Sequence, residues 1–226
     1  MLVVGAAPDA PSVPLSEDPW ELLPDGPRRM LAKAASEEFG KRGFHATTTR
    51  DIAVRVGMSP AGLYVHYASK ADLLFAISRI GHEAALGSVS AAVSGLVGPA
   101  KRVRALVKAF TAWHAVNHGL ARVLQYELRS LLPPHYQEIA SIRRTTQRQV
   151  ANELRSFVHP ATELKITTNA VLSLGIDVAR WYEPEKGPTP DALGEKYAQL
   201  VMNMLRTTSS RTSPLVQSGM TRQLNN

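Results

Sequence analysis

Residues 47–74, "TTTRDIAVRVGMSPAGLYVHYASKADLL", decide the fold. Two apolar patterns crowd against a glycine there, each too short to stand alone, since isolated helices below about 12 residues are marginal in water. Thr48 precedes Asp51 by three, the spacing of a capping box in which hydroxyl and carboxylate each satisfy the other's backbone N–H. The helix so begun runs through Ile52, Ala53 and Val56, and Gly57 supplies the left-handed residue that reverses the chain. Ser59 caps a second helix, with Pro60 at its first position, where a missing N–H costs nothing. That helix spans Pro60 to His66, with Leu63 inward and Ala61, Gly62, Tyr64 and Val65 left on its outer side. Ser69 and Asp72 repeat the capping box and start a longer helix through Leu73, Leu74, Ile77 and Ile80. Helix, tight turn, short helix and connector make a helix-turn-helix on a three-helix head. A short helix backed by its neighbours and free on its outer face fits the DNA major groove, while hydroxyls and helix starts grip phosphates.

Charge agrees with that reading. The 226 residues hold 26 Lys+Arg against 19 Asp+Glu, a formal net charge of +7. Between Arg28 and Ile80 stand nine cations (Arg28, Arg29, Lys33, Lys41, Arg42, Arg50, Arg55, Lys70, Arg79) and four acids (Glu37, Glu38, Asp51, Asp72), so 9 − 4 leaves +5 in the head. A basic balance favours an anionic partner such as nucleic acid. The absence of cysteine excludes disulfides, thiolate metal clusters and a Cys nucleophile. The opening "MLVVGAAPDAPSVPL" lacks a basic signal-peptide start, and no run approaches the roughly 18 apolar residues of a spanning helix, so a cytoplasmic protein without a membrane partner is expected.

Six prolines among residues 1–27 mark a loose arm, within which Trp20, Leu22 and Leu23 read either as docking residues or as a sticky linker. From Pro27 on the pattern is helical, with breaks expected at Gly43, Gly57, Ser69, Gly98–Pro99, Gly119, Pro133–Pro134, Pro160 and Gly187–Pro190. The expected architecture is all-α, about nine helices: a disordered Pro-rich arm over 1–24, the helix-turn-helix head over 25–85, a helical ligand-binding and dimerisation domain over 86–206, and a flexible polar tail over 207–226.

The stretch "AASEEFGKRGFHATTTRDIAVRVGMSPAGLYVHYASKADLL" resembles the DNA-binding head of the TetR family of bacterial transcriptional regulators over about fifty residues, through Phe-x-x-x-Gly-Phe, Thr-Thr-x-Arg-Asp-Ile-Ala, Gly-Met-Ser, Leu-Tyr-x-His-Tyr and Ser-Lys-x-Asp-Leu-Leu. The resemblance implies an all-helical homodimer, usually a repressor, that reads a palindromic double-stranded operator and releases it when a small molecule fills the C-terminal domain. Carried onto these residues, it implies phosphate contacts from Thr48, Thr49, Arg50, Ser59, Tyr64, His66 and Lys70, with Ala61, Gly62 and Val65 facing base edges. Lys70 sits in the first turn of a helix, where a cation opposes the dipole unless an anion accompanies it. Arg50 is the candidate to reach a guanine.

Beyond the head, Trp113, His114, His118, Tyr126 and Arg129 interrupt apolar stripes and offer the polar groups of a ligand cavity. On an unbroken helix His114 and His118 would share a face, but two imidazoles without a third ligand do not make a metal site, and no metal or cofactor is expected. The C-terminal half also resembles the branch regulating fatty-acid and steroid catabolism, in "HGLARVLQYELRSLLPPHYQEI", "IRRTTQ" and "GIDVARWYEPEKGPTPDALGEKYAQL", which implies an acyl-CoA thioester effector. Asp177, Arg180 and Trp181 join the candidate ligand residues, while Arg143, Arg144 and Arg148 read either as phosphate partners or as a solvated face. The family resemblance assigns Val171, Leu174, Gly175, Val178, Tyr197, Leu200, Val201 and Met204 to a four-helix dimer interface; periodicity alone allows them equally to be one chain's own core. No nucleophile turn, paired carboxylates or metal cluster supports an enzyme; the remaining alternative is a ligand-binding or interaction module without specific DNA binding.

Overall fold

Local chemistry in the head produces the elements its spacing predicts. In the computed structural model, which describes residues 18–211 and side chains through Arg206, the Thr48 hydroxyl accepts from Asp51 N at 3.1 Å and the Asp51 carboxylate accepts from Thr48 N at 3.0 Å. This closed box starts helix α2 (Thr49–Arg55), which follows α1 (Pro27–Arg42). Gly57 turns the chain at φ 70°, and the Ser59 hydroxyl caps α3 (Pro60–His66) by accepting from Gly62 N at 3.1 Å. Helix α4 (Lys70–Val93) starts on Ser69, whose hydroxyl accepts from Asp72 N at 3.0 Å; the return arm is a 2.7 Å hydroxyl–carboxylate bond.

Five further helices follow: α5 (Pro99–Val116), α6 (His118–Tyr126), α7 (Pro133–Leu154), α8 (Ala161–Trp181) and α9 (Pro190–Arg211). Among the described residues there are thus nine α-helices and no strand, as expected. The break expected at Gly119 falls at Asn117, so His114 and His118 lie on different helices. Residues 207–211 continue α9, and the rest of the tail, like Pro8, Pro11 and Pro14 of the arm, lies outside the described residues.

Part of the expected loose arm is seated. Asp18 caps a short 3-10 helix (Pro19–Leu22) that lays Trp20, 7% exposed, into the core of the head. Trp20 therefore docks. The same core runs without interruption through Phe39, Phe44, Leu63 and Leu74 into Trp113, Leu120, Val123, Leu124 and Ile139, so α6 and the start of α7 are built onto the head. A second core gathers the end of α4 with α5, α8, α9 and the end of α7.

Half of the residues expected at a dimer interface belong to the chain's own core. Val171, Gly175, Val178 and Val201 are buried against their own chain, and α9 lies chiefly along α5 rather than α8. Gly175 does permit close approach, but to Phe110: a Cβ there would stand 2.5 Å from its ring. Tyr197 is half-buried, leaving Leu174, Leu200 and Met204 exposed on α8 and α9, beside Ile166 and Trp181.

Trp20→Ala removes a large side chain from a continuous core and should destabilise the protein by about 3 kcal/mol. Urea unfolding tests this; a midpoint unchanged from wild type would mean that the arm merely rests on the surface.

Candidate nucleic-acid interface and effector cavity

Helix α3 presents one face to the interior and one to solvent. Leu63 is fully buried, whereas Val65 is 79% and Tyr64 52% exposed, with Ala61 exposed and Gly62 half-buried beside them. Thr48 is exposed and Thr49 half-buried on the adjoining start of α2, where the Thr49 hydroxyl lies 3.3 Å from the Tyr64 hydroxyl. The Thr48 hydroxyl, followed by the Thr48 backbone N–H, holds the Asp51 carboxyl below its ordinary range, keeping the cap ionised. The far end of α3 is anchored: Arg28 donates to the His66 carbonyl at 2.7 Å and lies over the Tyr67 ring, whose hydroxyl donates to Arg28 O at 3.0 Å. Tyr67 is buried core, as expected beside an exposed Tyr64.

Charge in the head is mostly internal. Arg55 turns back to Glu37 and Glu38, Arg42 to Glu38, Arg29 to Asp25, Lys33 to Asp18 and Arg79 to Glu83. Among the nine cations of the head, only Lys41 and Arg50 make no hydrogen bond or ion pair with the described residues. Arg50 is exposed beside Thr49 on the α2 start.

Lys70 departs from expectation. Its ammonium donates to Phe44 O at 2.8 Å and Thr47 O at 2.7 Å and lies 4.4 Å from the centre of the Phe44 ring. Carbonyl oxygens of the α1–α2 loop, not an external anion alone, offset its position at a helix start. From the other side the Glu127 carboxylate accepts from Phe44 N at 3.1 Å and from the Ser130 hydroxyl at 3.2 Å. Glu127 follows α6 directly, so the helix that enters the head's core also holds the loop before α2.

Behind α4 lies a cavity of about 460 Å³, lined by His82, Phe110, Trp113, His114, Leu124, Gln125, Tyr136, Arg143, Arg144, Gln147 and Ile176 among others. Of the ligand residues expected from the sequence, it brings together Trp113 and His114. His118 instead faces a cleft between α1 and α6, its Nδ1 3.1 Å from Ala115 O. Tyr126, Arg129 and Trp181 are exposed away from the lining, and Asp177 pairs with Arg180 at 2.7 Å, an ion pair that holds the Asp177 carboxyl low. His82 and Gln125 were not among the residues expected from the sequence, whereas Arg143 and Arg144, read either as phosphate partners or as a solvated face, are exposed and also border the cavity.

Both cavity histidines are neutral. Burial pushes the His114 imidazole down to about 4 despite its Nδ1 standing 2.8 Å from Phe110 O. Because a carbonyl only accepts, Nδ1 carries the proton. Burial, reinforced by Arg143, pushes His82 down to about 3.

Comparison with known proteins follows the same division of the chain. Residues 31–77 match the family model for bacterial regulatory proteins of the tetR family, and residues 97–205 match that for the tetracyclin repressor-like C-terminal domain. A crystal structure of a tetR-family regulatory protein from Rhodococcus RHA1 is 38% identical, covering 79% of this chain and 96% of that one with a TM-score of 0.73. The chain belongs to the TetR family of bacterial regulatory proteins. The transcriptional repressor KstR2 of Mycobacterium tuberculosis is 24% identical over 183 residues, 77% of this chain and 90% of its own. Its structure, described as that of a ketosteroid transcriptional regulator, superposes with a TM-score of 0.71 at 23% identity over 80% of this chain and 96% of that one. AibR, solved with isovaleryl coenzyme A and operator DNA, shares the fold at 20% identity and a TM-score of 0.65 over 76% of this chain and 96% of that one. These are transcriptional regulators, not enzymes, and no described helix of the present chain is long and apolar enough to cross a membrane.

Two predictions follow from the geometry. Glu127→Ala leaves the Phe44 amide without its acceptor and should speed its hydrogen exchange, while Glu127→Gln, which keeps an acceptor oxygen, should restore protection; equal exchange in all three would show that the bond does not hold the loop. Between pH 6.5 and 5 the unfolded chain protonates its histidines while His114 stays neutral, so stability is full above pH 6.5 and falls as the pH drops, by about 2 kcal/mol per such histidine over that window. Urea titrations of wild type and His114→Phe should show the shallower pH dependence in the variant.

Proposed function

We propose that this chain is a homodimeric repressor that binds a palindromic operator through α2 and α3 and is released by an acyl-CoA thioester seated in the cavity behind α4. The observation that carries the reading is that α6 lines this cavity through Ala121, Leu124 and Gln125 and then delivers Glu127 to the loop before α2. A ligand that favours a different placement of α6 would shift the population of head orientations through that bond. Helix α7 provides a second link: it lines the cavity with Tyr136, Ala140 and Arg143, and its His135 stacks on Phe75 of α4 with ring centres 4.0 Å apart.

On the DNA side, Ala61, Gly62, Tyr64 and Val65 offer a small, largely apolar reading surface suited to thymine methyl groups and DNA shape, with Thr48, Thr49, Ser59 and His66 at its edges. Arg50, beside it, makes no ion pair or hydrogen bond among the described residues. Lys70 supports phosphate binding by fixing the loop, with one of its three N–H donors still uncommitted to the two carbonyls.

On the effector side, Arg143 and Arg144 line the cavity without an ion pair or hydrogen bond among the described residues, and no carboxylate lines it with them. That lining favours an anionic ligand with an apolar body. AibR, which shares the fold, is a protein solved with an acyl-CoA and operator DNA together. The exposed Leu174, Leu200 and Met204, with Ile166 and Trp181, supply the apolar surface through which two copies would join.

Fluorescence anisotropy of DNA from the protein's own upstream region, with and without a panel of acyl-CoAs, tests the whole reading. Specific binding relieved by a thioester is the expected result; specific binding that no thioester, free acid or CoA relieves would remove the effector assignment, and binding equal to that of random DNA would remove the operator. Arg50→Ala should weaken binding by about 1–3 kcal/mol and lower the salt slope by about one. An unchanged slope with undiminished affinity would take Arg50 off the DNA.

A further inference from the structure

We infer that the effector carries an oxygen function, a hydroxyl or a keto group, within the part of it that enters the cavity, and that His82 recognises it. The inference rests on the reading of this cavity as the effector site and narrows the ligand class. His82 Nε2 is sealed from solvent and has no hydrogen-bond partner. His82 belongs to the cavity wall, together with the apolar Phe110, Trp113, Leu124 and Ile176. A buried polar atom left unpaired is costly, and a ligand of bare hydrocarbon leaves that cost in place. A ligand oxygen toward which the ring turns removes it.

His114 adds a second, independent constraint. With its Nδ1–H donated to Phe110 O at 2.8 Å, its other ring nitrogen can only accept, and this ring too lines the cavity. Neutral imidazoles suit an uncharged oxygen rather than a carboxylate, whose place is beside Arg143 and Arg144. The lining thus offers two kinds of polar group, the cationic Arg143 and Arg144 and the neutral imidazoles of His82 and His114. A hydroxyl satisfies either tautomer of His82, because it both donates and accepts.

Calorimetric titration of the full chain with matched probes tests this: decanoyl-CoA against its 3-hydroxy and 10-hydroxy derivatives, cyclohexanecarbonyl-CoA against its 4-hydroxy derivative, and the corresponding free acids. At least one hydroxylated probe should bind about tenfold more tightly than its parent, the ratio expected when one buried polar group gains its partner. His82→Leu should abolish that preference while leaving the parent's affinity equal or improved, and His82→Gln, which retains a donor and an acceptor, should keep most of it. Parents that bind as tightly as every hydroxylated probe, or a preference that survives His82→Leu, would overturn the inference while leaving the effector reading intact. Binding of none of the thioesters or acids would overturn both. Free acids matching the thioesters in affinity would keep the role of His82 and remove CoA from the ligand.

Discussion

The backbone between Gly43 and Thr47 is gripped from two sides, and the placement of α2 and α3 depends on it. Lys70 of α4 holds the carbonyls of Phe44 and Thr47, Glu127 beyond α6 holds the Phe44 amide, and the Phe44 ring is buried against Phe39 with centres 5.3 Å apart. Helix α2 begins two residues after Thr47, and α3 is tied to α2 through Leu63 and to α1 through Arg28 and Tyr67. The loop is therefore where the orientation of α2 and α3 relative to the effector half is set. A charged donor and a charged acceptor acting on neutral backbone groups make stronger bonds than neutral pairs.

What was legible in the sequence had local causes. Capping by Thr48 and Ser59, the reversal at Gly57 and the inward Leu63 involve residues within four positions of one another, so spacing alone specifies them. The effector half was legible as helices but not as surfaces. Gly175 announces a close approach without saying to what, and its neighbour turns out to be Phe110 of the same chain. His114 and His118 look like a pair until Asn117 ends α5 between them. Arg143 and Arg144 are exposed, as on a solvated helix face, and nothing on α7 itself reveals that they also border a cavity lined by α4, α5, α6 and α8. Trp20 was ambiguous for the same reason, since the hollow that receives it is formed by residues distant in sequence.

Net charge was informative in sum and misleading in detail. The head's excess of cations does signal a basic surface, but Arg29, Arg42, Arg55 and Arg79 each meet a carboxylate on the head or the adjoining helix, and Glu38, 4% exposed, draws both Arg42 and Arg55. Of these, the pairing of Arg55 on α2 with Glu37 and Glu38 on α1 ties the two helices together. DNA affinity therefore has to come from few unpaired cations together with hydroxyls and backbone N–H groups, an arrangement in which geometry, rather than total charge, sets the strength of phosphate binding.

The continuous core explains why a cavity in one half can be read by the other. Domain boundaries drawn from sequence place a divide near residue 85, in the middle of α4, yet the head's core extends through Leu120, Leu124 and Ile139 without a gap. Leu124 is at once a wall of the cavity and a member of that core, and it abuts α4 at Gly81, where a Cβ would come within 2.5 Å of it. Under the function proposed above, displacement of a side chain so engaged would carry α6 with it, because close-packed interiors shift between discrete arrangements rather than deform smoothly. His82 stands next to Gly81, on the same turn of α4. Under the function proposed above, recognition of the ligand's oxygen and movement of the helix preceding Glu127 would originate within one helical turn, and a ligand that satisfied His82 without pressing on Leu124 would bind without releasing DNA.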